Sequence, residues 1–254
     1  MELLQTDPRS RDWLTALGLD SCAAIVKLFA LPEPPLATTV IVTPRTVQLA
    51  DHSTRSVFYK LYEYASPSWY FWGRRSKARR EFEYYAAFEQ LGIPTAQRVA
   101  CGEVRDAIGR LCRAFIVTEE IPRAWTLPQF VQEFCPNRAT AESRRLRDGL
   151  CRQMASLTRC MHDAAFFHYD LVWRNILVTW TPPDAPKIWW IDCPRGGFSR
   201  QRHWQIQDLA SLDKMAVQYC TRAERLTFLK SYGGEAKSLA REVLAYRQKR
   251  RPDE

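Results

Sequence analysis

Features that would direct a protein out of the cytoplasm or into a membrane are missing from this chain of 254 residues. No apolar run is long enough to cross a bilayer, and residues 1–8 have neither the basic start nor the long apolar core of a secretory signal. The eight cysteines include no CxxC pair and show no regular spacing. We therefore expect a cytoplasmic protein with reduced, mostly buried thiols and without a zinc site.

Positive charge is in excess, with a formal net charge of +9 at pH 7. Much of this excess lies in three clusters: Arg74, Arg75, Lys77, Arg79 and Arg80; Arg144, Arg145 and Arg147; and Arg247, Lys249, Arg250 and Arg251. Basic clusters favour an anionic partner such as nucleic acid, a phosphorylated glycan or lipid headgroups. Solvated helix faces give the same pattern, so both interpretations stay open.

The order of the predicted elements, strands first and helices after, indicates an α+β fold with two lobes and a cleft between them. We predict a β-rich N-lobe at 1–120 and a mainly helical C-lobe at 121–254. Strands are predicted at 38–42, 46–50, 56–62, 96–102 and 114–119, the second and third joined as a hairpin. Helices are predicted at 13–29, 77–91, 127–134, 141–164, 206–219 and 222–250, the first stopped by the prolines of 32–35 and the last broken at Gly233-Gly234.

The segment from His168 to Thr179 is the most informative part of the chain. Asp170 and Asn175 precede a short apolar strand, and a second apolar run, 188–191, ends in Asp192. Two carboxylates and an amide next to short strands can hold divalent cations and a hydroxyl nucleophile, as phosphoryl transfer requires. We expect Asp170 to accept the hydroxyl proton, and Asn175 and Asp192 to hold Mg²⁺ on a nucleotide. A turn-capping aspartate and a solvent-facing strand end are the alternatives.

Lys60 shares a strand face with two aromatic residues, which suggests that its side chain reaches into a cleft. There it would neutralise phosphate oxygens of the nucleotide, oriented by Glu81 of the following helix. Glu83 and Glu89 compete for that pairing, and an edge-strand lysine is the alternative. Glu119 and Ile121, where the sheet gives way to helices, are also predicted to contact the nucleotide.

Three polar residues around the catalytic segment are predicted to support it. His162 and His168 are expected to brace the loop by hydrogen bonds rather than to bind a metal. Asp208, at the start of a helix, is expected to accept hydrogen bonds from the loop backbone, although a simple helix-end carboxylate would also fit.

The run Trp69-Tyr70-Phe71-Trp72, followed by Gly73-Arg74-Arg75, fits neither a helix nor a strand pattern. Contact with a membrane surface, stacking on sugar rings and stacking on nucleic-acid bases are three interpretations. An aromatic plug between the lobes is the fourth.

Lys60, Glu81, Asp170, Asn175 and Asp192 together form a pattern that resembles the protein-kinase superfamily. Further details are Ser66-Pro67-Ser68-Trp69, segments 78–82 and 91–94, and the runs 173–178 and 191–196. Together they resemble the lipopolysaccharide kinase family of Gram-negative bacteria, which includes kinases of Kdo and heptose in the inner core. The resemblance extends from about residue 40 to about residue 212.

The resemblance implies a two-lobed protein-kinase-like fold and an ATP- and Mg²⁺-dependent phosphotransferase that acts on a sugar hydroxyl. It implies Asp170 as catalytic base, Asn175 and Asp192 as Mg²⁺ ligands, and Lys60 with Glu81 as the ion pair on the nucleotide. The implied partner is a lipid-linked core oligosaccharide at the inner membrane, where the chain would bind peripherally; nucleic acid is not the expected partner.

Departures from the protein-kinase pattern keep other functions open. No glycine-rich loop precedes Lys60, and Cys193-Pro194 stands where Phe-Gly usually follows the metal-binding aspartate. Tyr169 replaces the arginine of kinases that are regulated by a phosphorylated activation loop. A kinase of a protein or small molecule, a pseudokinase scaffold and an RNA-binding protein are the alternatives.

One further departure concerns charge next to the catalytic base. Val172 occupies the place of a lysine that steadies the transferred phosphate in protein kinases. Arg174 or Arg195 could supply that charge instead, and slow turnover is expected if neither does.

Overall fold

The computed structural model describes residues 1–29, 40–136 and 140–249, without the side chains of residues 65–68. The predicted proline stop at 32–35, the start of the strand at 38–42, and Arg250 with Arg251 therefore lie outside the described residues. The chain divides into two compact units. Unit 1 comprises Met1–Ala86 and Ala96–Glu120, and unit 2 comprises Ala87–Thr95 and Ile121–Glu254.

Unit 1 is built on an antiparallel sheet of five strands: β1 (Glu2–Thr6), β2 (Val40–Gln48), β3 (Thr54–Ser68), β4 (Arg98–Arg105) and β5 (Leu111–Glu119). Their order across the sheet is β1-β4-β5-β3-β2, and the predicted hairpin is the β2–β3 pair. The two strands predicted at 38–42 and 46–50 form a single strand where the structure describes them. Pro44 is compatible with it because β2 lies at the sheet edge, where a missing N–H leaves the inner ladder intact.

Unit 1 also contains the helices α1 (Arg11–Ala16), α2 (Cys22–Phe29) and α3 (Lys77–Gln90), the last of which extends into the first residues of unit 2. The single helix predicted at 13–29 is wrong, because the chain turns at Gly18, where φ is +67°. Helix α2 packs on the sheet, with Phe29 stacked on Tyr59 at 5.1 Å between ring centroids. Gly102 permits this packing, since an added Cβ would lie 2.7 Å from the sulfur of Cys22.

Unit 2 is mainly helical, and its helices are α4 (Leu127–Phe134), α5 (Ala141–Asp163), α6 (Arg202–Tyr219), α7 (Arg222–Tyr232) and α8 (Ala236–Lys249). Its strands are β6 (Ala124–Thr126), β7 (Phe166–Phe167), β8 (Ile176–Thr179), β9 (Lys187–Trp190) and β10 (Gly197–Phe198). They form a three-stranded sheet, β6-β8-β9, and the pair β7–β10. The helix break at Gly233-Gly234 and the strands after the catalytic segment are confirmed.

The helices of unit 2 enclose a core that fixes α6 against α7 and α8. Buried Leu209 and Ile206 of α6 pack with Tyr232, Leu239 and Val243. Since Asp208 lies in the second turn of α6, beside Leu209, this packing also sets the position of its carboxylate. A sheet-based unit and a mainly helical unit confirm the predicted α+β class.

Two expectations from the sequence concern membrane-spanning helices and the cysteine thiols. In the described part of the chain, no helix combines the length and the apolar character that crossing a bilayer requires. All eight cysteines are free thiols, but only four are buried, Cys22, Cys101, Cys135 and Cys193, so the expectation of mostly buried thiols holds for half of them.

Candidate active site

The loop between β7 and β8 carries the predicted catalytic base, and Asp208 holds its first residues. The main-chain nitrogens of His168 and Tyr169 donate hydrogen bonds of 2.8 Å to Oδ2 and Oδ1 of Asp208. Tyr169 has a left-handed φ of +63°, which is unfavourable for an aromatic residue. The buried carboxylate therefore stabilises a strained turn directly before Asp170, and the predicted bracing role of Asp208 is confirmed.

Both histidines near the loop form the bracing hydrogen bonds that the sequence predicts. His162 lies between Asp208 and Tyr232, with Nε2 at 3.3 Å from Oδ2 of Asp208 and Nδ1 at 2.8 Å from the Tyr232 hydroxyl. Nε2 of His168 is 3.2 Å from the carbonyl oxygen of Ile191. Complete burial lowers the pKa of His168, so a neutral ring donates its Nε2–H to that carbonyl.

Asn175 connects the segment of Asp170 with the end of β9. Its Nδ2 donates a 3.0 Å hydrogen bond to the main-chain carbonyl of Asp170, which also accepts one of 2.9 Å from the nitrogen of Val172. The carbonyl of Asn175 accepts a 3.0 Å hydrogen bond from the nitrogen of Ile191, directly before Asp192. Because Nδ2 is engaged in this way, the amide orientation is fixed and Oδ1 is the side-chain atom suited to a cation.

The carboxylates next to Asn175 differ in their surroundings. Asp170 is partly exposed, and its Oδ2 lies 3.6 Å from the guanidinium of Arg174. Arg195, the other candidate for a positive charge next to the base, is also exposed. Asp192 follows β9 with a left-handed φ of +56°. Mg²⁺ in nucleotide sites commonly takes one or two carboxylate ligands together with phosphate oxygens and water, so a site of one carboxylate and one amide fits it. Among the described residues, no group of three or more His, Cys, Asp or Glu side chains could hold a metal ion.

Lys60 of β3 forms its ion pair with Glu81 of α3, as the sequence predicts. Nζ of Lys60 lies 3.0 Å from Oε2 of Glu81, and both side chains are at least 85% buried. Hydroxyls of Tyr62 and Tyr85 donate hydrogen bonds of 3.3 and 2.9 Å to the same carboxylate. Glu83, a competing candidate, pairs instead with two surface arginines of unit 1. Three donor contacts around one carboxylate fix the position of the lysine.

Glu119 and Ile121 are the remaining residues that the sequence assigns to the nucleotide. Glu119 ends β5, where its carboxylate lies 2.5 Å from the guanidinium of Arg55 and its main-chain nitrogen donates to the carbonyl of Gln97 at 2.8 Å. Ile121 is buried in unit 2. The contact of either residue with a nucleotide stays a prediction.

Some residues that support the site are not evident from the sequence. Tyr232 and Gln205 complete the environment of His162, since Nε2 of Gln205 donates a 2.6 Å hydrogen bond to the Tyr232 hydroxyl. Tyr232 lies 70 positions from His162, and no local pattern indicates that pairing. Tyr85 could have been found, because it lies one helical turn after Glu81.

The fold and the loop together define the class of protein. A solved structure of WaaP in complex with acyl carrier protein superimposes on this chain with a TM-score of 0.71 and 23% sequence identity, covering 98% of this chain and 97% of that one. This likeness confirms the two-lobed protein-kinase-like fold that the sequence predicts.

The family follows from the sequence comparisons. The model of the lipopolysaccharide kinase (Kdo/WaaP) family matches residues 67–232, and the chain belongs to that family. It is 28% identical over 142 residues to a 3-deoxy-D-manno-octulosonic acid kinase of Actinobacillus succinogenes, covering 56% of this chain and 54% of that protein. A protein of the same name from Haemophilus influenzae is 26% identical over 155 residues, 56% of this chain and 60% of that protein. The matched region thus spans little more than half the length of these relatives.

Proposed function

We propose that this protein is an ATP-dependent kinase that phosphorylates a sugar hydroxyl of the lipopolysaccharide inner core, with Kdo as the first candidate and heptose as the second. The observation that carries the proposal is the hydrogen-bonded link through Asn175 between the segments of Asp170 and Asp192. Membership of the lipopolysaccharide kinase family supports the reaction class. The names of the relatives from Actinobacillus succinogenes and Haemophilus influenzae favour Kdo over heptose.

In this proposal, unit 2 supplies the base and the metal ligands. Asp170 accepts the proton of the attacking hydroxyl, and its position is fixed because its main-chain carbonyl is held by two hydrogen bonds. Oδ1 of Asn175 and the carboxylate of Asp192 would hold Mg²⁺. When bound, Mg²⁺ would neutralise negative charge on the phosphates of ATP. Arg174 places a positive charge beside Asp170, where Val172 leaves none.

Unit 1 supplies the other charge for the nucleotide. Lys60, held in place by Glu81, is proposed to neutralise phosphate oxygens, and Glu119 and Ile121 to contact the rest of ATP. A lysine fixed by an ion pair loses less conformational entropy when it binds phosphate than a mobile one. Catalysis then rests on positioning and charge neutralisation, which are the main contributions in phosphoryl transfer.

The test is a transfer assay with the purified chain, Mg²⁺ and γ-labelled ATP. Acceptors are a lipid A precursor that carries Kdo, one that also carries heptose, a generic protein and an aminoglycoside. We expect the Kdo acceptor to gain the mass of one phosphate with the wild type and none with Asp170→Ala. Transfer to heptose alone, or only to protein or aminoglycoside, would contradict the Kdo assignment.

A binding measurement separates an enzyme from a scaffold. We expect a rise in melting temperature with ATP that depends on Mg²⁺ and that Asp170→Ala retains. No such rise and no consumption of ATP would favour a pseudokinase scaffold. In cells, mass spectrometry of lipopolysaccharide from a deletion strain should reveal the loss of one phosphate.

We also propose an acyl carrier protein as a partner, because a protein of the same fold has been solved with one. Unit 2 has an apolar cavity of about 90 Å³, lined by residues such as Leu150, Met154 and Phe228 and bordered by Arg147 and Glu224. An acyl chain is the part of such a partner that an apolar cavity would bind.

Co-elution of the purified chain with an acyl-loaded carrier protein tests this partner. Met154→Trp, which fills the cavity, should abolish co-elution, whereas Leu244→Trp at an exposed position of α8 should not. Equal co-elution of both variants would exclude the cavity as the binding site.

A further inference from the structure

Three of the four consecutive aromatic residues after β3 point into solvent. Trp69, Tyr70 and Trp72 are 58%, 67% and 60% exposed, and Ile108, in the turn between β4 and β5, is 55% exposed. Phe71, between them, is buried. We call Trp69, Tyr70, Trp72 and Ile108 the aromatic patch. Burial in the protein interior accounts only for Phe71, so the other three aromatic residues require a different explanation.

The two segments of the aromatic patch are held together by Arg105. Its NH1 donates to the carbonyls of Phe71 and Gly109 at 2.9 and 3.1 Å, and its NH2 donates to the carbonyl of Arg74 at 2.7 Å. Nε1 of Trp72 adds a 3.0 Å hydrogen bond to the carbonyl of Ile108. The patch is thus fixed before any partner binds, which reduces the entropy that binding would cost.

Glu103 anchors Arg105 in turn. Oε2 of Glu103 accepts a 2.8 Å hydrogen bond from NH2 of Arg105, and Oε1 accepts one of 2.7 Å from the nitrogen of Ser76. This buried carboxylate therefore links the start of α3 to the turn that carries Ile108. A surface of exposed apolar side chains supported by a buried polar network is a built feature rather than a chance exposure.

Two rings of the aromatic patch are covered by guanidinium groups. Arg110 lies 5.1 Å above the ring of Trp69, and Arg74 lies 5.4 Å above that of Tyr70. Trp72 meets Trp69 in a T-shaped contact at 5.9 Å. Each guanidinium covers one face of its ring, which leaves less open face for stacking on a sugar or a base. Aromatic rings with adjacent arginines, in contrast, suit the headgroup region of a bilayer.

The charge of the residues next to the aromatic patch indicates which kind of bilayer surface the patch would bind. Arg74 is exposed and forms no ion pair with any described residue, and Arg75 is more than half exposed although it contacts Glu83. Lys77 and Arg79 follow within one helical turn. An excess of positive charge next to exposed Trp and Tyr side chains complements anionic headgroups.

We propose that the aromatic patch, with Arg74 and Arg75, binds the surface of an anionic phospholipid bilayer. The rings and Ile108 enter the headgroup region, and the guanidinium groups bind lipid phosphates. The proposal rests on the geometry of unit 1 and is independent of the proposed kinase activity. It would bring the chain to the surface on which a lipid-linked acceptor lies.

Flotation of the full chain with vesicles, without ATP or acceptor, tests the proposal. We expect binding to vesicles of phosphatidylethanolamine and phosphatidylglycerol, and much weaker binding to phosphatidylcholine alone. The triple variant Trp69→Ala, Tyr70→Ala, Ile108→Ser should bind the anionic vesicles at least about tenfold more weakly. Arg74→Gln, which leaves the rings in place, should weaken binding about fivefold, and added salt should have a similar effect.

A matched control removes exposed apolar side chains elsewhere. The variant Leu28→Ser, Val217→Ser, Leu244→Ser changes residues that are 46–50% exposed and should bind vesicles like the wild type. Melting temperatures check that each variant is folded. The proposal is overturned if the wild type does not float, if the patch and control variants bind equally, or if phosphatidylcholine binds as well as the anionic mixture. Loss of generic RNA or core oligosaccharide binding in the patch variant, without vesicle binding by the wild type, would assign the patch to that partner instead.

Discussion

Oδ1 of Asp208 accepts a 2.8 Å hydrogen bond from the main-chain nitrogen of Tyr169, a residue with a φ of +63°. The other oxygen of the carboxylate accepts a hydrogen bond from the nitrogen of His168. A single buried side chain on α6 therefore determines the backbone path that leads to Asp170. The proposed chemistry depends on this support as much as on the residues that would touch the substrate.

Replacing Asp208 should disturb this support. In Asp208→Asn the amide NH₂ faces a main-chain N–H, so one hydrogen bond is lost and a buried donor is left unsatisfied. We expect the free energy of unfolding to fall by about 2 kcal/mol, and kcat to fall at least about tenfold in the folded protein. Asp213→Asn, on the same helix but paired with Arg225 and Arg247, should leave kcat near wild type. Equal kcat values for the two variants would show that Asp208 does not position the loop.

Removing the base should affect the reaction but not the fold. Asp170→Asn keeps the main-chain carbonyl that Asn175 and Val172 hold, and removes the carboxylate that would accept the proton and that faces Arg174. We expect kcat to fall by about 10²–10⁴-fold, with ATP affinity within about twofold of wild type. Asp184→Asn, in an exposed turn, is the control. Phosphate transfer by Asp170→Asn at the wild-type rate would remove Asp170 from the mechanism.

The ion pair of Lys60 distinguishes two glutamates on one helix. Glu81→Gln removes the charge that holds Lys60, and we expect KM for ATP to rise about tenfold. Glu83→Gln breaks surface ion pairs with Arg75 and Arg79 and should change KM less than about twofold. Initial-rate kinetics over a range of ATP concentrations measure both. A KM that rises equally in both variants would argue against a specific role for the buried pair.

Arg174 is expected to replace the lysine that Val172 does not provide. Arg174→Gln should lower kcat/KM about tenfold or more, and Arg174→Lys should retain most of it, because the charge rather than the fork geometry is needed. Arg152→Gln removes a similar surface pair, formed with Asp148 one helical turn away, and should have no effect. If Arg174→Gln is fully active, the same series on Arg195 identifies the alternative charge.

The buried imidazole of His168 makes stability depend on pH. Burial lowers its pKa from the ordinary value of 6.5, so the folded state keeps the ring neutral while the unfolded chain binds a proton below that value. The contribution of the neutral ring to the free energy of unfolding is complete above about pH 6.5. It decreases as the pH falls, by at most about 1.4 kcal/mol per pH unit. Denaturant unfolding at several pH values should show this slope for the wild type and for His203→Gln, an exposed control. The slope should decrease in His168→Gln, and an unchanged slope there would rule out His168 as its source.

Local sequence patterns predicted the parts of the fold that local forces determine. The helix at 77–91, the β2–β3 hairpin and the strands after the catalytic loop each have their own periodicity or turn residues. The pairing of Lys60 with Glu81 was also predictable, since the order of strand and helix restricts the candidates.

The remaining features depend on contacts between distant parts of the chain. Strand β1 is ordered by pairing with β4, as in Glu2 with Val104, and five residues near the start of a chain carry no strand signal of their own. Tyr232 reaches His162 only after three helices have packed together. None of these features has a repeat or spacing that a linear pattern could reveal.

The short connection after Asp192 has a consequence for control in the cell. Only residues 193–201 separate that aspartate from α6, and two of them already pair with β7. A thiol of Cys193 packed against Gly196 further restricts this stretch. Because this stretch is short and held by these contacts, it contains little chain that covalent modification could rearrange. If the proposed kinase activity holds, the rate of phosphorylation would then follow the number of copies of the protein and the supply of its acceptor.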